Sequence, residues 1–119
     1  MLDDQVALDL VFHALADPTR RAIVERLTRG PASVGELAAP MPMSLAAVMQ
    51  HIRVLEESRL LHTEKLGRVR TCTIAPEALV RAEAWLGERR ILWNRRLDRL
   101  GALLDEDEKH GTENEGTSS

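Results

Sequence analysis

Two short stretches of the chain concentrate side chains suited to reading and holding a nucleic acid. Ser44, Leu45, Ala46, Met49, Gln50, His51 and Arg53 fall in the first, and Lys65, Arg68 and Arg70 in the second. A glutamine amide carries a donor and an acceptor side by side, so Gln50 can pair with an adenine edge. Leu45, Ala46 and Met49 can touch thymine methyls. His51 and Arg53 suit phosphates or the wall of a groove. Ser44, standing at a helix start, can offer its hydroxyl and nearby amides to a phosphate. Lys65, Arg68 and Arg70 bring positive charge to the neighbouring phosphates or minor groove. Arg20 and Arg21 are weaker phosphate candidates. For each arginine the plain alternative is a solvated surface charge, and for Leu45 and Met49 it is packing beneath a neighbouring helix. Clustering of the basic residues favours DNA contact.

Other chemistry finds little support. No nucleophile–base constellation and no glycine-rich phosphate loop is present, so an enzyme is not expected. The four histidines, at 13, 51, 62 and 110, show no ligand spacing. His13 reads as a helix-surface or interface residue. The one cysteine, Cys72, excludes an intrachain disulfide. It alternates with Ile74 along a strand, so it is expected to face inward and be inert, without a resolving thiol.

The elements that must position these residues follow from pattern. A first helix over about Asp3–Leu15 carries Leu8, Val11, Phe12 and Leu15 on one stripe and Val6 and Leu10 on a second. One short helix rarely buries two stripes in a small domain, so one stripe is free for a partner chain. Asp17 caps a second helix, with Pro18 at its first position, running to about Thr28. Ser33 and Glu36 form a capping box for a short third helix, closed by Pro40 and Pro42. A fourth helix over 44–58 buries Val48, Ile52 and Leu55. Residues 61–66 and 69–74 then read as two strands joined at Gly67-Arg68. A long last helix opens at Pro76 or Glu77 and reaches about Leu104. Its apolar stripe is Leu86, Trp93, Leu97, Leu100 and Leu104, widened by Trp85 and Leu92, with arginines opposite. The order is mainly α with a small β-hairpin (α+β), the pattern of a winged helix-turn-helix.

Three stretches carry a resemblance to the ArsR/SmtB regulators: FHALADPTRRAIVERL (12–27), SVGELAAPMPMSLAAVMQHIRVLEESRLL (33–61) and EKLGRVRTCTI (64–74). The likeness covers about residues 5–100, and the closing ERRILWNRRLDRL (88–100) resembles a metal-free branch. It implies a homodimer, usually a repressor, reading a near-palindromic operator in double-stranded DNA. The 44–58 helix would enter the major groove, with the 61–74 hairpin as wing. The dimer would be built from the first and last helices, placing Val6, Leu10, Trp85, Trp93, Leu97 and Leu100 at the interface. The same two helices have surplus apolar surface on pattern alone. The family's cysteine site would fall near residues 36–39, which hold no thiol, and 77–104 hold no histidine. No metal and no cofactor is therefore expected, and a small-molecule or protein effector stays unspecified. Against the family, the face at 44–49 is apolar, which points to apolar or shape readout beside hydrogen bonding.

Bulk properties neither support nor exclude this reading. The net charge is −3, but residues 105–119 hold six acids and one lysine, leaving 15 basic and 13 acidic residues in 1–104. Placement of charge, not its total, has to decide. The sequence divides into a 1–104 DNA-binding and dimerisation domain and an acidic 105–119 tail read as disordered. No apolar run reaches membrane-spanning length and no signal-peptide pattern follows Met1, so the cytoplasm is the expected compartment. The rival reading is a protein-interaction module on the same fold. Zinc titrated into the protein with duplex DNA should leave binding unchanged. Tight stoichiometric uptake that releases the DNA would overturn the metal-free expectation.

Overall fold

The computed structural model describes residues 4–118, with side-chain surroundings through residue 108. The elements in chain order are α1 (Asp4–Leu15), α2 (Pro18–Leu27), β1 (Ala32–Ser33), α3 (Val34–Ala38), α4 (Leu45–Glu57), β2 (Leu61–Leu66), β3 (Val69–Ile74) and α5 (Pro76–Ser118). This is the mainly helical, hairpin-bearing order that the sequence predicts. Two compact units divide the chain, Met1–Glu83 and Ala84–Ser119.

In the first unit the helix boundaries are set by caps. Asp17 accepts the Arg20 amide at 3.1 Å, and Pro18 follows in the first turn. That hydrogen bond is the leading reason the Asp17 carboxyl sits below its ordinary pKa. The cap's stabilisation is thus present above the ordinary carboxylate range and is lost as pH falls through the lowered value. Ser33 accepts the Glu36 amide at 3.1 Å while Glu36 reaches back to the Ser33 amide at 3.4 Å, completing the capping box. Ser44 caps α4 by accepting the Ala47 amide at 3.1 Å.

The core of this unit is aliphatic. Val48, Ile52 and Leu55 of α4 pack with Ile23 and Leu27 of α2 and Leu37 of α3, all at 2% exposure or less. Leu60, Leu61 and Cys72 close the core from the hairpin side, and Ala78 and Ala82 from the start of α5. Small alanines at these last positions let the helix backbone lie close to its neighbours. The hairpin has the predicted ends. Leu61 pairs with Ile74 and Leu66 with Val69 in an antiparallel ladder. Gly67 takes φ +63° and Arg68 does not join it in the left-handed region, the requirement of a turn with glycine at its first central position. Sequence reading missed β1, which pairs Ala32 with Cys72 and Ser33 with Thr71 and makes the sheet three-stranded in the order β1-β3-β2. Two residues are too few to show a period.

In the second unit α5 runs well past Leu104. Its backbone is helical through Ser118, over the stretch that composition reads as disordered. No proline follows Pro76, and Leu103, Leu104, Glu106 and Glu108 are good helix formers, so no local signal stops the helix at 104. No described residue of 84–108 is buried. Leu55→Ala should lower unfolding free energy by about 2–5 kcal/mol, while Leu45→Ala, at an exposed position, should change it by no more than about 0.5 kcal/mol. Urea denaturation of both variants checks this.

Candidate nucleic-acid interface

Burying Val48, Ile52 and Leu55 fixes the rotation of α4. At 100° per residue, Ala46, Gln50 and Arg53 then stand on the opposite side, and all three are exposed. Ser44 and Leu45 are exposed at the helix start, Leu45 at 57%. Met49 is half-buried and packs against the core. Of the two apolar candidates, the packing alternative therefore holds for Met49 and not for Leu45. The reason is position. A side chain in the first turn leans back past the helix end, whereas the long, flexible Met49 one turn later reaches the core.

Among the described residues, Gln50, Arg53, Lys65 and Arg68 have no side-chain hydrogen bond or ion pair within the chain, so their donors are available. Lys65 sits directly across from Arg70 in the ladder, and both are exposed. Like charges in facing positions are unfavourable in a sheet. An anionic surface laid against the wing would turn that repulsion into attraction. Arg70 is also held in place. Its guanidinium donates to Thr63 Oγ1 at 2.8 Å, and the Thr63 hydroxyl donates to Glu56 Oε2 at 2.5 Å. This Glu56–Thr63–Arg70 chain couples the base of the wing to the last turn of α4. Sequence reading missed it, although the hairpin register places Thr63 and Arg70 diagonally across the ladder.

The arginines of α2 have another use. Arg20 donates through Nε to the Ala14 carbonyl at 2.7 Å and through a terminal nitrogen to the His13 carbonyl at 3.1 Å. Arg21 donates to the Leu15 carbonyl at 2.7 Å. Both satisfy carbonyls at the C-terminus of α1 that have no partner within the helix, which accounts for the two adjacent arginines without any phosphate. The third nitrogen of the Arg20 guanidinium lies 3.3 Å from His51 Nδ1.

Other candidate residues lie elsewhere. Val6 is exposed at 43% and Leu10 is half-buried on α1. In the second unit Trp93, Leu97 and Leu100 are exposed at 58%, 46% and 52%. Trp85 is half-buried, with the Arg89 guanidinium 4.3 Å above its ring centre, a cation–π contact. Cys72 is fully buried; burial first, and then the Glu56 carboxylate, push its thiol pKa up, against a smaller opposing pull from Arg70. A thiol so placed stays protonated and unreactive near neutrality. No group of three or more metal-ligating side chains occurs among the described residues, and among them no helix is long and apolar enough to cross a membrane. A cavity of about 520 Å³ opens between α1, the end of α4, the start of β2 and the first turns of α5. Its floor includes Leu8, Val11 and Leu61, and its rim carries Arg59 and Arg81 together with Asp4, Glu57 and Glu77.

Comparison with known proteins agrees with this geometry. The helix-turn-helix domain family matches residues 15–64. The HTH-type transcriptional regulator Rv2034 of Mycobacterium tuberculosis is 42% identical over 97 residues, covering 82% of this chain and 88% of that protein. The transcriptional repressor SmtB homolog of Synechocystis is 37% identical over 67 residues, 56% of this chain and about half of its own length. Among solved structures, the ArsR family transcriptional regulator RHA00566 is 51% identical with a TM-score of 0.73, covering 79% of this chain and 97% of that one. An ArsR-like transcriptional regulator from Rhodococcus sp. RHA1 is 29% identical with a TM-score of 0.72, covering 85% and 93%. With its helix order, its hairpin and nearly the full length of a relative matched at this identity, the chain belongs to the ArsR/SmtB family of winged helix-turn-helix transcriptional regulators, and it is not an enzyme.

Proposed function

We propose that this regulator works in the cytoplasm as a homodimeric repressor that binds a near-palindromic operator. In this reading α4 enters the major groove and the β2–β3 hairpin lies along the flanking backbone. The observation that carries it is the free outer face of α4: Ala46, Gln50 and Arg53 point away from a face that is wholly buried, beside a wing with unpaired Lys65 and Arg68. Gln50 would read a base edge, and Leu45 and Ala46 would meet thymine methyls. Ser44, Arg53, Lys65, Arg68 and Arg70 would hold phosphates, and Met49 would brace the helix from its half-buried position.

The dimer is supported by uncovered apolar surface. Trp93, Leu97 and Leu100 form a stripe at helical spacing on a stretch of α5 in which no described residue is buried. Such a stripe is stable in water only against a partner. With Val6 and Leu10 of α1 and with Trp85, these residues would form the interface, making residues 1–104 the DNA-binding and dimerising part. The acidic segment beyond stands outside both roles. A protein-interaction module is the second reading. It draws on exposed apolar residues at the same places, Leu45 on α4 and Leu66 and Val69 at the wing tip, at 57%, 64% and 51%.

Fluorescence anisotropy on the native upstream DNA separates the two. Gln50→Ala and Arg68→Ala should each weaken binding while the dimer survives, and only Gln50→Ala should also blunt sequence preference, by about 1–3 kcal/mol of discrimination. Wild-type affinity should fall steeply as salt rises. Equal binding by wild type and both variants would contradict the assignment. In sedimentation, Leu97→Glu should convert the dimer to a monomer, and an unchanged dimer would remove α5 from the interface.

A further inference from the structure

The Arg20 guanidinium has no free edge for a phosphate. Its Nε and one terminal nitrogen hold the Ala14 and His13 carbonyls at 2.7 and 3.1 Å, and its other terminal nitrogen lies 3.3 Å from His51 Nδ1. A guanidinium can only donate. For this contact to be a hydrogen bond, Nδ1 of His51 must accept, so the ring proton of the neutral imidazole must sit on Nε2. No buried side-chain nitrogen or oxygen lacks a partner among the described residues. Since Nε2 has no partner within the chain, it reaches solvent. His51 lies next to Gln50 on α4 and two residues before Arg53, both exposed.

From this arrangement we propose that Arg20 is a positioning residue for DNA binding: it fixes the tautomer and ring orientation of His51 so that an Nε2–H donor faces the phosphate backbone. The inference rests on the DNA-binding reading of α4. It gives Arg20 a task distinct from phosphate contact. Three nitrogens of one side chain tie the end of α1, the start of α2 and the middle of α4 into a single frame. The same bond presents a neutral, directional donor to the backbone, where an unfixed ring would divide its proton between two nitrogens. Asp17, the cap of α2, is the nearby carboxylate; its pKa is lowered first by the Arg20 amide hydrogen bond, with His51 a smaller contributor.

The test uses the two amide side chains that imitate different halves of an imidazole. His51→Asn places an acceptor near the Nδ1 position and nothing at Nε2. His51→Gln places an amide donor near Nε2 and gives up the Nδ1 acceptor. On the full chain, operator affinity of His51→Gln should stay within about twofold of wild type, while His51→Asn should lose roughly three- to tenfold per subunit. Ring 15N signals at a pH of about 8, above the ordinary histidine range, should show Nδ1 bare and Nε2 protonated. In Arg20→Met they should shift toward a mixture of tautomers. A wild-type proton on Nδ1, ring signals unmoved by Arg20→Met, or His51→Asn binding as tightly as wild type would overturn the proposal. Should Arg20→Met fail to fold, the wild-type spectrum and the two His51 variants still decide it. A wild type that binds no duplex would instead strike the reading of α4, and the spectra would still decide the Arg20 contact.

Discussion

Burial of one face of α4 is the constraint from which the rest follows. Val48, Ile52 and Leu55 are at 1% exposure or less, and each contributes on the order of 1.5–3 kcal/mol by leaving water. No rotation of the helix that exposed them could compete. With that face fixed, helical geometry alone turns Ala46, Gln50 and Arg53 outward. The exposed face is therefore a by-product of core packing. If it reads DNA as proposed, substitutions on it would change what is read without changing whether the domain folds.

The remaining connections hold this face in register with its surroundings. The Ala39 cap at the end of α3, whose amide donates to the Gly35 carbonyl, and the Ser44 cap of α4 define the two ends of the turn between them. Arg20 joins α1, α2 and α4 from one side. Glu56 and Thr63 join α4 to Arg70 of the wing from the other. These polar links sit around an aliphatic core with no buried unsatisfied side-chain polar atom among the described residues. The links give direction and the core gives most of the free energy, since a hydrogen bond adds only about 0.5–1.5 kcal/mol net. In the second unit the balance differs. There Trp93, Leu97 and Leu100 are exposed and no described residue from 84 to 108 is buried, the surface that the proposed dimer would cover.

Much of this was legible in the residues. Asp17-Pro18, the Ser33–Glu36 box and Gly67 are strong local signals that mark the starts of α2 and α3 and the hairpin turn, and the spacing of Val48, Ile52 and Leu55 gives the inward face of α4. The burial of Cys72 followed from alternation with Ile74. Several features were not legible. β1 is too short to show a period and exists only because β3 has an edge to pair. The places of Leu45 and Met49 depend on where the helix ends relative to its neighbours, which periodicity does not carry. Arg20 looked like one more exposed cation, because its three acceptors come from residues 13, 14 and 51 and meet only in the fold. The run of α5 past 104 was hidden by an acidic composition that suggests disorder but contains no glycine or proline between Gly101 and Gly111.

The central claim is that two copies of α4, each turned outward by its buried face, read one duplex together. Selection of binding sites from random duplex DNA by the purified protein tests it most directly. The account predicts enrichment of two inverted half-sites with centres about one helical turn, roughly 10 base pairs, apart, or a multiple of that. Enrichment of a single unpaired half-site, or no enrichment over the starting pool, would contradict it.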